Sequence, residues 1–256
     1  MPEGDTIELA ARRLEPLAGQ PLQVETPHPR HRHDRMPERL AGAELVRIEA
    51  RGKHLLLTFS NGLTLHSHLR MRGRWDVYRP GQRWSRSPAR AWLVLRTAEH
   101  VGVLFDGPVL ELLTPAQLSL HPVLRRLGED LIDHDLDVDR VLRALRREDP
   151  GREVGDALLD QRVLAGIGNV WKSEALHAEG VGPFRPLGTL DDATLRRVVE
   201  RASSGLRTQV ELGHGRRPRA VYDRAGRPCP RCGARIASRV QGDDGRTTFW
   251  CPGCQI

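Results

Sequence analysis

The sequence predicts an α+β chain of several domains. These are an N-terminal β-sandwich with flanking helices, a helical region, and a small C-terminal metal-binding hairpin. Three observations carry this expectation. Between Pro21 and Leu113 short apolar runs alternate with turn residues. After Thr114 the apolar spacing becomes helical. The four cysteines of the chain fall in two CxxC pairs at its far end. A length of 256 residues suits two domains, or one with appendages.

The first element is a helix. Asp5-Thr-Ile-Glu8 has the form of a capping box, with Asp5 as N-cap. Ile7, Ala10, Ala11, Leu14 and Leu17 share one apolar face. Strands are expected over residues 22–26, 44–50, 54–59, 63–69, 91–97, 102–105 and 109–113, with Ser60-Asn-Gly62 as a hairpin turn. The basic segments from His28 to Arg39 and from Arg70 to Arg90 read as loops. Residues 121–128 suggest a short connecting helix ending at Gly128, and a domain boundary falls within 114–130. Helices are then expected over 137–147, 154–163, 170–179 and 190–212.

At the C-terminal end, Cys229-Pro-Arg-Cys232 and Cys251-Pro-Gly-Cys254 have the spacing of a structural zinc site of zinc-ribbon type. Residues 233–250 are long enough for a hairpin carrying both knuckles, with its turn in Val240–Gly245. Two disulfides would need an oxidising compartment, and nothing in the sequence suggests one. Glu3 and Asp5 stand where a secretion signal would be basic. No apolar run approaches membrane-spanning length. The expectation is a soluble, intracellular protein. The net charge of +7 and pI near 10.0 suggest a polyanionic partner.

Three local features point to chemistry. Removal of Met1 would expose Pro2, a secondary amine with Glu3 directly beside it. An α-amino group has a pKa of about 7.7–8.0, so much of it is nucleophilic near neutral pH, and attack on an aldehyde-level carbon gives an iminium. The second feature is a skew: the chain has 38 Arg and only two Lys, Lys53 and Lys172. Arg replaces Lys wherever charge alone is enough, whereas a tunable ammonium can donate a proton. Lys53, at the start of an apolar strand, is a candidate general acid, against the alternative of a solvated strand-edge Lys. The third is Gly166-Ile-Gly168-Asn169. Two glycines end one helix and Asn169 can cap the next, leaving N–H groups that suit a phosphate or a carboxylate. It lacks the ending of a P-loop and follows no strand, so it is not a nucleotide-binding motif.

Together these residues resemble the Fpg/Nei family of bifunctional DNA glycosylases, its endonuclease VIII branch in particular. The resemblance covers Met1-Pro-Glu-Gly4, Lys53, His68-Leu-Arg-Met71, His121-Pro-Val-Leu124, Leu159-Asp-Gln161, Gly166–Asn169 and the terminal Phe249–Gln255. It implies an N-terminal catalytic β-sandwich domain (1–114), a helix–two-turns–helix DNA-binding domain (115–215) and a four-cysteine zinc finger (216–256). It implies base excision repair, with Pro2 as Schiff-base nucleophile, Glu3 as neighbouring acid/base, and Lys53 as proton donor for the first strand cleavage. Arg246 would engage the lesion phosphate and assist the second. Asn169, Arg70 and Arg125 match DNA contacts, and Met71 with its Arg neighbours lies where the family fills the gap left by a flipped base. One Zn2+ on Cys229, Cys232, Cys251 and Cys254 would be structural. Damaged DNA, as duplex, single strand or bubble, would be the partner of a monomer in the bacterial cytoplasm, at the nucleoid.

Two departures bear on the substrate. Purine-specific members carry a long loop before the zinc finger, whereas Leu212–Tyr222 is short here. They also carry an Arg and a Phe after an Asp, where this chain has Asp106-Gly-Pro-Val109. Both favour oxidised pyrimidines. The alternatives are a family member acting on oxidised purines, a zinc-dependent DNA-binding protein without catalysis, and a zinc ribbon serving protein contacts.

Overall fold

The alternation between Pro21 and Leu113 resolves, in the computed structural model, into two antiparallel four-stranded sheets. The structure describes residues 2–31, 34–213 and 219–256. Contacts divide it into two units: Pro2 with Thr6–Arg125, and Glu3–Asp5 with Arg126–Ile256.

In the first unit, helix α1 (Gly4–Leu14) runs on from the other unit's Glu3–Asp5 stretch. It is followed by β1 (Gln23–Glu25), α2 (Met36–Leu40), β2 (Leu45–Arg51), β3 (His54–Phe59), β4 (Thr64–His68), β5 (Arg74–Tyr78), β6 (Ala91–Arg96), β7 (Val101–Phe105), β8 (Val109–Leu113) and α3 (Pro115–Ser119). The sheets have orders β1-β6-β7-β5 and β2-β3-β4-β8. Their alternating residues supply the core: Leu55, Leu57, Phe59 and Leu65 from one sheet, Trp75, Leu93, Leu95 and Leu104 from the other, with Ile7, Leu14 and Leu17. Burying a side chain of this size stabilises by roughly 1.5–3 kcal/mol each. Gly102 is needed for space, because a Cβ there would lie 2.6 Å from the Leu17 side chain.

Strand β5 and most of helix α2 lie inside the two basic stretches that the sequence reading leaves as loops, Arg70–Arg90 and His28–Arg39. Both faces of β5 are covered: Trp75 is buried in the sandwich core and donates its indole N–H to Ser67 Oγ at 3.3 Å, while Tyr78 packs in a second apolar cluster. Asp76 is held by Arg74 Nε at 2.6 Å and by the Tyr78 hydroxyl at 3.2 Å. The capping-box expectation at Asp5 also gives way. The helix already begins at Gly4, so Asp5 lies in its first turn.

The second unit contains β9 (Glu129–Asp130), α4 (Val138–Leu145), α5 (Val154–Ala157), β10 (Leu164–Ala165), α6 (Asn169–Ala178) and α7 (Asp192–Glu211). The hairpin strands β11 (Ala237–Gln241) and β12 (Arg246–Trp250) follow. The helix expected over 154–163 is only α5; the chain then turns into β10, which pairs parallel with β9. Of the connecting helix expected over 121–128, only a 3-10 turn at Leu124–Arg126 forms. Side-chain caps start α4 and α7, Asp137 on Arg140 N and Asp191 on Thr194 N. The helical core gathers Leu142, Leu145, Leu158, Ile167, Leu176, Val198 and Leu206. The hairpin turn occupies Gly242–Gly245, where both glycines have positive φ, +67° and +62°. Among the described residues no helix is long and apolar enough to cross a membrane. Of the Leu212–Tyr222 loop, His214–Pro218 lie outside the described residues.

Candidate active site

The start of α6 is built by the Gly-Ile-Gly-Asn motif and by Gln161. The Gln161 amide donates to the carbonyls of Leu159 (2.8 Å) and Ile167 (3.0 Å), and its Oε1 accepts from Gly166 N (3.2 Å). The two glycines serve different needs. Gly166 has φ +89°, the left-handed region that glycine tolerates. Gly168 is extended, and its need is space: a Cβ there would stand 2.3 Å from Glu3 Oε1.

Glu3 fills that space. Its Oε1 accepts from Val170 N at 2.8 Å and its Oε2 from Trp171 N at 3.2 Å. The N–H groups at this helix start are thus taken by a carboxylate of the chain itself. The carboxylate is 2% exposed and faces the positive end of the helix dipole. Neighbouring bonds fix the approach. Gly4 N donates to Gly166 O at 2.9 Å, and the Trp171 indole donates to Asp5 Oδ2 at 3.2 Å. Trp171 packs against Gly205, where a Cβ would be 2.0 Å from the ring. Pro2, the candidate nucleophile, is one peptide bond from this anchored carboxylate.

Asn169 does not cap α6. Gly168 takes the N-cap position, and the buried Asn169 side chain donates from Nδ2 to Thr247 O of β12 at 2.6 Å. Its Oδ1 is buried with no hydrogen-bond partner. Arg246, the first residue of β12, is half-exposed and lies 3.9 Å from Asp244. Glu174, further along α6, accepts from the N–H groups of Ala220, Val221 and Tyr222 and so fixes the approach to the finger.

The four cysteine sulfurs lie within 4.8 Å of one another. Cys229 and Cys254 are 3.8 Å apart, Cys232 and Cys251 3.4 Å. A disulfide needs about 2.05 Å, whereas tetrahedral zinc with Zn–S of about 2.3 Å sets its sulfurs at close to these separations. The residues fit one Zn2+. His177 Nε2, 3.4 Å from Cys229 Sγ, is the kind of neighbour that orients a ligand thiolate.

In the first unit, Lys53 is the second residue of the β2–β3 turn, directly before β3, and is half-buried. Arg70 has φ +50° and opens a tight turn closed by Gly73 N donating to Leu69 O at 2.8 Å. That turn presents Arg70, Met71 and Arg72 outward. Met71 is 62% exposed, which excludes a core role. Arg125 is exposed on the 3-10 turn.

Between Lys53 and Arg70, sequence reading missed a chain of histidines. Cross-strand register puts His54 opposite His68 and His66 opposite Glu111, all on one face. His54 Nδ1 lies 2.8 Å from His66 Nε2, and His66 Nδ1 lies 2.7 Å from Glu111 Oε2, which His121 Nε2 meets at 3.2 Å. His66, Glu111 and His121 could be taken for metal ligands. However, His121 Nδ1 accepts from Val123 N and Leu124 N, so its proton sits on Nε2, aimed at the carboxylate. Two N–H donors therefore converge on Glu111, and the cluster is a directed hydrogen-bond chain. Burial holds His54 down to about 3 and His68 to about 4, with Arg70 and Lys53 among the further causes for His68. Both stay neutral at neutral pH and add no repulsion to the adjacent cations.

Comparison with known proteins agrees with this geometry. Residues 1–108 match the formamidopyrimidine-DNA glycosylase N-terminal domain, residues 127–218 its H2TH domain, and residues 226–256 the zinc finger found in FPG and IleRS. The chain is 44% identical over 270 residues to the probable endonuclease 8 2 of Streptomyces coelicolor, covering all of this chain and 94% of that one. It is 36% identical over 267 residues to an Escherichia coli endonuclease 8, covering both completely. Among solved structures, Lactococcus lactis Fpg on DNA containing an AP site superposes with a TM-score of 0.85 at 24% identity, covering 99% of each chain. With three matched domains and full-length relatives, the chain belongs to the Fpg/Nei family, the bifunctional DNA glycosylase/AP lyases of base excision repair.

Proposed function

We propose that this chain excises oxidised pyrimidines from DNA through the Pro2 amine and then cleaves the strand by β- and δ-elimination. One observation carries the mechanism: Glu3 is locked on the N-terminus of α6, one peptide bond from that amine. Pro2 nitrogen attacks the anomeric carbon of the damaged nucleotide, and the base departs with the bonding electrons. Glu3 shuttles the proton that opens the sugar ring, leaving an iminium between Pro2 and the sugar. The iminium makes the adjacent sugar proton acidic, so its removal expels the 3′ phosphate, and a second elimination expels the 5′ phosphate. Lys53 supplies the proton for the first departure, and Arg246 neutralises phosphate in the second.

Arg70 and Arg125 contact the backbone, Met71 enters the gap left by the flipped base, and Asn169 adds a neutral phosphate contact while bracing β12. Cys229, Cys232, Cys251 and Cys254 hold the zinc, which stiffens the hairpin; with all four positions filled by protein it has none for water. The working division is 1–114, 115–215 and 216–256, in a monomer acting at the nucleoid of the cytoplasm. Pyrimidine preference rests on the short 212–222 loop and on Asp106. That carboxylate is committed to Arg86 (2.7 Å) and Arg90 (2.5 Å), and Gly107 and Pro108 after it offer no gap-filling side chain.

Base release from matched oligonucleotides, one set with an oxidised pyrimidine and one with 8-oxoguanine, tests the substrate. Pyrimidine release at least tenfold faster is expected; faster release of 8-oxoguanine would reverse the assignment. Lys53→Arg and Arg246→Ala separate the cations. Lys53→Arg keeps the charge but replaces the ammonium by a guanidinium, which does not give up its proton in proteins, so strand cleavage should slow while affinity holds. Arg246→Ala should lower the salt slope of DNA binding by about 0.9, one phosphate, and shift product from δ- to β-elimination. Equal losses of binding and cleavage in Lys53→Arg would reduce Lys53 to a phosphate anchor.

A further inference from the structure

Lys172 is the second of only two lysines among 38 arginines, and the mechanism above does not use it. It is fully buried in the first turns of α6. Its Nζ donates to Thr248 Oγ1 of β12 at 2.5 Å and to Gln241 Oε1 of β11 at 3.3 Å. The Thr248 hydroxyl donates in turn to Gln241 Oε1 at 2.7 Å. The Gln241 amide spends both N–H groups, on Glu153 Oε2 (2.9 Å) and Pro183 O (2.8 Å). One nitrogen therefore joins both hairpin strands to the helix whose N-terminus holds Glu3.

We propose that Lys172 is a positioning residue for the reaction: it braces the zinc hairpin, and with it Arg246, on the helix start that holds Glu3, and its charge acts through space on both. This rests on the roles of Glu3 and Arg246 given above. The charged groups facing Lys172 come from every element around it: Glu153 and Asp156 at α5, Glu3 at the chain start, and Arg246 on β12. Burial is the largest influence and lowers Lys172 to about 7; the three carboxylates oppose that shift and Arg246 adds to it. Either protonation state keeps two N–H donors for Thr248 and Gln241. The brace thus survives deprotonation, while the field on Glu3 and Arg246 changes by a full charge. A guanidinium could not do this. The linkage sign follows. The folded chain releases this proton more readily than the unfolded one, so the group's contribution to stability rises from pH 7 towards 10.5 and is least below 7.

Two lysines make a direct test practical. The full chain carrying lysine labelled at 13Cε gives two signals, assigned by the loss of one in Lys53→Arg. One signal is expected to titrate with a midpoint near 7. A chain in which both titrate near 10 overturns the proposal. Single-turnover base release and strand cleavage are then followed against pH for the wild type, Lys172→Arg and Lys172→Gln. Zinc content checks that each variant keeps the hairpin. Lys172→Arg should lose the change in rate near pH 7, and Lys172→Gln should lower the ratio of δ- to β-product several-fold. Variants whose profiles superimpose on the wild type overturn this inference alone. A wild type that releases no base overturns the functional reading, and the lysine titration still reports on the charge of Lys172.

Discussion

Gly168→Ala should reduce base release by about 10²–10⁴-fold, the contribution typical of a positioned acid/base group. The new Cβ would lie 2.3 Å from Glu3 Oε1, 2.4 Å from its Cδ and 2.6 Å from its Cγ. Backbone strain is not the cause, since Gly168 has φ −128°, which alanine adopts freely. The carboxylate must leave, and Val170 N and Trp171 N lose their acceptor. The fold should lose stability as well, because two helix-start N–H groups are left without their acceptor. Thermal unfolding and single-turnover kinetics on the same preparation separate the two effects. A Gly168→Ala protein with wild-type base release would show that Glu3 does not need its seat on α6.

Cys232→Ser should release the metal and unfold the hairpin. Structural zinc binding is largely folding free energy, about 10–16 kcal/mol apparent in zinc-finger peptides. The apolar cluster under the finger is small, namely Val221, Ile236, Cys229 and Cys251 with Phe249 and Ala234 against it. It cannot replace that contribution. Asn169 then loses Thr247, Lys172 loses Thr248 and Gln241, and Arg246 loses its strand. Metal analysis should find about one zinc per wild-type chain and none in the variant, with DNA binding lost as well. A chelator should reproduce the effect. A zinc-free chain that still binds and cleaves would remove the finger from the mechanism.

What could be read in the sequence, and what could not, follows the range of the interactions. The two CxxC pairs, the Ser60-Asn-Gly62 turn and seven of the eight sandwich strands are local signals, and the structure contains them. Strand β5 was hidden because it shows no alternation: Trp75 and Tyr78 lie on opposite, buried faces inside a run of arginines. The helix start at residues 168–171 was legible as an anion site. Its occupant was not: Glu3 lies more than 160 positions away, and no periodicity links the two. The same limit hid the His54–His66–Glu111–His121 chain, which exists only through the pairing of β3, β4 and β8. Counting lysines singled out Lys172, but its partners, 69 and 76 positions further on, come from the hairpin.

The central claim is that the chain's own terminal amine does the chemistry while Glu3 is held beside it. Borohydride trapping on DNA containing an oxidised pyrimidine, followed by peptide mapping of the adduct, tests it most directly. The expected result is a covalent adduct on the nitrogen of Pro2, absent when Met1 is retained or a tag precedes it, with DNA binding by the blocked chain nearly intact. An adduct on Lys53 or Lys172, or full trapping by the blocked chain, would contradict it.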